Sequence, residues 1–188
     1  MFDIRKSWGG GTGSRGYIPK QYFIQETRQV AQDNISLSIS IEWWRRYQDL
    51  LKQAVAPLTA DQLTLRLGTQ RSAGEIITHI VVVRAWYLHG VMGEGGADME
   101  SLLEWEGTSA PLLTTAKLLI GIDQTWQLLT ECLTRWTAND MQDMFFLNWL
   151  GHDVPRGFVV WHMLEHEIHH GGELSFTLGC NGLAGVDV

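Results

Sequence analysis

Five of the seven histidines fall between residues 152 and 170, and four of them, His162, His166, His169 and His170, share one periodic apolar stretch. In a helix, at about 100° per residue, His166 and His170 stand about 40° and one turn apart on one face. That spacing lets one helix offer two imidazoles to a single metal ion. His162 and His166 have the same spacing, so the residues alone leave two pairs open. His162 and His170 are about 12 Å apart along the axis and cannot share one ion. A third ligand has to come from another helix. The candidate is His79, alone among apolar residues on an inner helical stripe, where an unpaired imidazole is costly. Its plain alternative is a core histidine bonded to a carbonyl or carboxylate. His169 is turned about 100° from His170, and His89 and His152, near helix ends or turns, are expected at the surface.

The run His166-Glu167-Ile168-His169-His170 also spells H-E-x-x-H. In a zinc protease Glu167 would be the general base and a third ligand would follow. Only 18 residues follow His170, Phe176 stands where the longer protease motif has its third histidine, and no peptide cleft is evident. A protease is therefore the weaker reading. Three neutral imidazoles would leave an ion its full charge and open positions. Water there has its pKa lowered to about 7, and a thiol is deprotonated. Glu75, one turn before His79, and Glu173, just after His170, are candidates to accept from a ligand's second ring nitrogen or to orient a substrate. Trp43, Trp86 and Tyr87 are candidates to border a pocket. Cys132 and Cys180 form no CxxC pair, suit a reducing compartment, and read as inert.

The elements that must position these residues are helical. Trp43, Trp44, Tyr47, Leu50, Leu51 and Val55 recur at spacings of three and four until Pro57. A second helix is expected from Ser72, with Glu75 completing a capping box, to Gly90. Its inner stripe is Ile76, His79, Ile80, Val83 and Tyr87. Four glycines mark the segment from Gly93 to Pro111 as a long connection, with room for a short helix. A third helix is expected over Leu112 to Thr137, a turn or small hairpin around Asn148 to Asp153, and a fourth helix from Pro155 to near Gly179. The fold class is all-α, a four-helix bundle whose long second connection can cross over. Residues 1–38 read as a Gly-rich arm, with five of the 20 glycines in the first 16 residues, and residues 39–182 as the bundle.

Composition narrows the function classes. The 188 residues are 45% apolar and 19% charged, which suits one globular domain. A net charge of -7 with no basic stripe argues against nucleic acid as a partner. The N-terminus has no apolar signal-like stretch, and no run approaches a bilayer span, so the expectation is a cytoplasmic protein without a membrane partner.

The C-terminal run VPRGFVVWHMLEHEIHHGGELSFTLGCNGLAG resembles the last helix of the DinB-like (YfiT-type) family. In that family a histidine, three residues and a second histidine precede a short Arg-Gly-Gln-like sequence; here they are His166, His170 and Gly171-Gly172-Glu173. The segment SAGEIITHIVVVRAWYLHGVMG resembles the family's other ligand-bearing helix, with His79 as the match. The resemblance covers roughly residues 39 to 182 and ranks the pair His166/His170 above His162/His166. It departs from the family pattern at Gly171, commonly a basic residue, and at Arg84, where acidic residues are frequent. The resemblance implies a bundle with a long crossover, a homodimer, and a divalent ion, nickel or zinc, held by His79, His166 and His170. Relatives using mycothiol or bacillithiol transfer or isomerise small molecules through a low-molecular-weight thiol. The expected function is therefore a metal-dependent transferase or isomerase taking an exogenous thiol, or a hydrolase using metal-bound hydroxide. The alternative is a metal-binding interaction module without catalysis.

Overall fold

The structure, a computed structural model, describes residues 34–107 and 113–187. Among the described residues there are six α-helices: α1 (Asn34–Val55), α2 (Ala60–Leu63), α3 (Ala73–Ala85), α4 (Ala97–Leu102), α5 (Thr115–Arg135) and α6 (Arg156–Cys180). A two-stranded antiparallel hairpin, β1 (Met144–Leu147) and β2 (His152–Pro155), precedes α6 and pairs Leu147 with His152. Its turn closes at Gly151, which takes the positive φ of 72° that a side chain disfavours. The Gly-rich arm lies outside the described residues up to residue 33, and α1 starts at Asn34, inside the stretch assigned to that arm.

Local signals account for the helix starts. Ser72 and Glu75 form the expected capping box at α3, and Thr59 with Gln62 forms a second at α2. Pro155 stands at the N-cap of α6 instead of inside its first turn. The expected helix to Gly90 changes character at Trp86. From Trp86 to Val91 the chain widens into a π turn, with the Met92 N–H bonded to the Tyr87 carbonyl at 3.0 Å. The third helix is shorter at both ends than expected, beginning at Thr115 beneath a Thr114 cap.

Helix directions follow from the side chains that meet. Trp44 and Tyr47 of α1 reach Glu167 of α6, and Tyr47 abuts Gly171, so α1 and α6 run parallel. His79 of α3 and Tyr87 of the π turn that continues it meet His170 and His162 in reverse order, so α3 runs antiparallel to α6. Thr115 bonds the Leu58 carbonyl and Asp123 pairs with Lys52, so α5 runs antiparallel to α1. Helices α3 and α5 are thus parallel to each other. The chain joins them by a crossover that contains α4 and the 3-10 turn Leu103–Trp105.

Helix α3 sits at the centre of this arrangement. Every residue from Ile76 to Ala85 is buried, including Thr78, His79 and Arg84, so it is enclosed on all sides instead of carrying one inner stripe. Two hydrophobic clusters fill the bundle, one around Leu51, Ile76, Leu118 and Leu174, the other around Trp44, Leu88, Leu129 and Val159. On α6 the polar stretch from His166 to Gly171 separates them. No helix among the described residues is long and apolar enough to cross a membrane.

Candidate metal centre

Helix α6 presents His166 and His170 one turn apart, and α3 brings His79 against both. All three are buried, and one nitrogen of each lies within 4.8 Å of the others. The Nε2 atoms of His79 and His166 are 3.2 Å apart. Ring centroids are 4.3 Å apart for His166 and His170, and 4.6 Å for His79 and His170. A tetrahedral ion with Zn–N bonds near 2.0–2.1 Å needs ligand nitrogens about 3.4 Å from one another. One pair already meets that spacing, and the remaining nitrogens lie within 4.8 Å. The triad can hold a metal ion.

Hydrogen bonds outside the triad orient two of its rings. The Nδ1 of His170 lies 2.7 Å from Glu173 Oε2, the contact expected of that glutamate. The Nδ1 of His79 lies 2.8 Å from Glu106 Oε1. Carboxylates accept, so each Nδ1 donates its proton outward, which leaves Nε2 as the nitrogen turned to the triad. Burial, reinforced by neighbouring imidazoles, pushes His166 down to about 2. Burial also lowers His170 to about 4, against the opposing pull of Glu173. Both rings are neutral at physiological pH, the state in which an imidazole binds a metal.

The other sequence candidates fall elsewhere. His162 is buried one turn before His166 but outside the three-histidine group. Its ring stacks on Phe158, lies beside Tyr87 and Trp149, and bonds Glu165 at 3.2 Å. His169 and His152 are exposed; His89 is half-buried, with Nδ1 bonded to the Glu94 carbonyl. Glu75 is used by the α3 cap and by Arg66, away from His79. Trp43 does not border the site: it is 61% exposed, with the Arg46 guanidinium over its ring. Burial, with the nearby Glu94 charge, pushes the Cys132 thiol up to about 11, which keeps it inert; Cys180 is exposed.

Glu167 does not face the triad as a protease base would. Its buried carboxylate receives the Arg84 guanidinium at 2.5 Å, the Trp44 indole N–H at 3.0 Å and the Gln48 amide. Arg84 in turn donates to Gln48 and to Thr125 of α5. The two departures from the family pattern thus have structural causes. Arg84 neutralises Glu167, and at Gly171 any Cβ would overlap Tyr47 Oη, so α1 packs against bare backbone there.

Glu106 is the site residue that sequence reading missed. It lies on the Gly-rich crossover, 27 residues from His79, among other acidic residues of similar context. No local spacing distinguishes it.

Comparison with known proteins agrees with this architecture. A B. subtilis (strain 168) protein, the uncharacterized protein YrdA, is 21% identical over 143 residues, covering 74% of this chain and 80% of its own. The crystal structure of a DinB-like protein from Bacillus cereus superposes with a TM-score of 0.62 at 17% identity, covering 78% of this chain and 93% of that one. A DinB-like protein from Bacillus subtilis gives 0.53 at 17% identity, covering 76% and 91%. The family model described as the DinB superfamily matches residues 44–174, from Trp44 to Leu174, and the chain belongs to that superfamily.

Proposed function

We propose that His79, His166 and His170 bind one divalent ion, zinc or nickel, and that the protein is a metal-dependent enzyme acting on a small molecule with an exogenous low-molecular-weight thiol. The observation that carries this reading is the convergence of three buried imidazoles. A bound ion would supply positive charge that favours the thiolate, the nucleophilic form of the thiol. The chain's own part is to keep His166 and His170 unprotonated, to orient His79 and His170 through Glu106 and Glu173, and to exclude bulk water by burial. No cysteine belongs to the site, so the sulfur has to come from outside.

The same charge would serve a water molecule, which keeps hydrolysis as the second reading. A screen of electrophilic substrates with and without added thiol tests both, on protein of known metal content. Thiol-dependent loss of the electrophile supports transfer, thiol-independent loss supports hydrolysis, and neither supports a non-catalytic binding module. We further propose a homodimer with no nucleic-acid partner. Trp161, Ile168 and Phe176, all exposed on one side of α6, offer apolar surface for a second copy to cover, and the net charge of -7 repels phosphate backbones.

A further inference from the structure

The crossover between α3 and α5 is tied to the histidine site through one side chain. Glu106 follows directly on Trp105, and its carboxylate accepts from His79 Nδ1. Trp105 is itself held in place: it lies on α5 at Gly121, where a Cβ would stand only 2.6 Å from Trp105 Cζ3. Lys117 Nζ sits 5.7 Å from the same ring. Behind it, Met99 and Leu102 are buried in the core cluster of α3 and α5. The packing of one tryptophan on a glycine therefore fixes where the Glu106 carboxylate stands.

We infer that Glu106 is a positioning residue for the metal, and that ion binding and the order of the crossover stabilise each other through the Glu106–His79 hydrogen bond. This rests on the triad reading above. A ligating histidine that donates its second N–H to a carboxylate has a fixed ring orientation and a more basic ligand nitrogen. The charge of an ion on Nε2 makes the Nδ1 proton a stronger donor, so the bond to Glu106 tightens in turn. Linkage makes the effect reciprocal: the factor by which Glu106 strengthens ion binding is the factor by which the ion stabilises the crossover.

The test uses the full chain and zinc alone. Zinc affinity is measured by chelator competition for the wild type, Glu106→Gln and Glu104→Gln. Glu104 is exposed, two residues away and equally charged, so it reports simple loss of negative charge. The expected result is a ten- to hundredfold weaker affinity for Glu106→Gln and no change for Glu104→Gln. The metal-free melting temperatures of both should match the wild type. Zinc should also slow amide exchange across residues 97–107 in the wild type, and this protection should be absent in Glu106→Gln.

Equal zinc affinity in Glu106→Gln and the wild type overturns the inference while leaving the triad standing. So does a zinc protection pattern that spares 97–107. A metal-free Glu106→Gln that melts lower in proportion to its loss of affinity makes Glu106 a general stabiliser and overturns the assignment too. A wild-type chain that takes up no zinc overturns the triad reading and this inference together.

Discussion

Arg84 and Glu167 meet at 2.5 Å with side chains only 2% and 3% exposed, and each belongs to a helix that also carries a histidine of the triad. The pair joins α3 to α6, and through Gln48, Trp44 and Thr125 it reaches α1 and α5. All four long helices, α1, α3, α5 and α6, contribute a group to it. Removing one partner leaves a buried charge with no counter-ion, so Glu167→Ala should cost about 3–5 kcal/mol. Replacing both, as Arg84→Met with Glu167→Leu, should cost less than the sum of the single changes. Urea unfolding of the four proteins measures the difference.

The triad is tested by five single alanine variants. His79→Ala, His166→Ala and His170→Ala should each lose stoichiometric zinc or nickel after dialysis, read by elemental analysis. His162→Ala and His169→Ala should keep it. Retention by His170→Ala with loss in His162→Ala would move the site one turn along α6.

Gly171 has no room for a side chain because Tyr47 Oη occupies the space a Cβ would need. Gly171→Ala should destabilise the protein by about 1–3 kcal/mol through overpacking of α1 on α6. Tyr47→Phe in that background removes the obstructing oxygen, along with its 3.4 Å hydrogen bond to the Glu167 carbonyl, and should recover part of the loss. Thermal melts of the two variants decide it.

Stability of the metal-free protein should depend on pH in a defined window. His166 and His170 are held at about 2 and about 4 in the folded chain, below the ordinary 6.5, chiefly by burial. The unfolded chain therefore takes up protons first. Stability is complete above pH 6.5 and is lost as the pH falls from 6.5 towards 4 for His170 and further, towards 2, for His166. Between pH 6.5 and 5, before most carboxylates titrate, His166 should contribute a slope that rises towards about 1.4 kcal/mol per pH unit. His170, with the smaller shift, adds a comparable slope that ends near pH 4. Urea midpoints at pH 7.5, 6.5 and 5.5 should shift accordingly, and His166→Gln should flatten the trend.

Duplex DNA should not bind at physiological salt, because the phosphate term is repulsive overall at a net charge of -7. Fluorescence anisotropy with a labelled duplex checks this, and a tight, salt-sensitive complex would contradict it.

The sequence by itself determined the main helices and that His162, His166 and His170 share one face of the last, with the choice of pair left open. Both are local matters: caps such as Ser72 with Glu75, breakers such as Pro57, and the fixed rotation per residue of an α-helix. It also showed the connection before α5 to be long, though not its path. What only the tertiary structure decided depends on contacts between distant segments. Glu167, which by motif alone is a catalytic base, is turned by one residue of helical rotation towards Arg84, and no local rule tells which face a partner will occupy. Glu106 acquires its partner because Trp105 lodges on Gly121, a contact between segments 16 residues apart that carries no periodic signature. Trp43 and Trp44 are neighbours with the same side chain, yet one is 61% exposed and the other 4%, according to which meets α6. Periodicity reports the face a helix buries; which residues meet across that face is set by how whole helices dock.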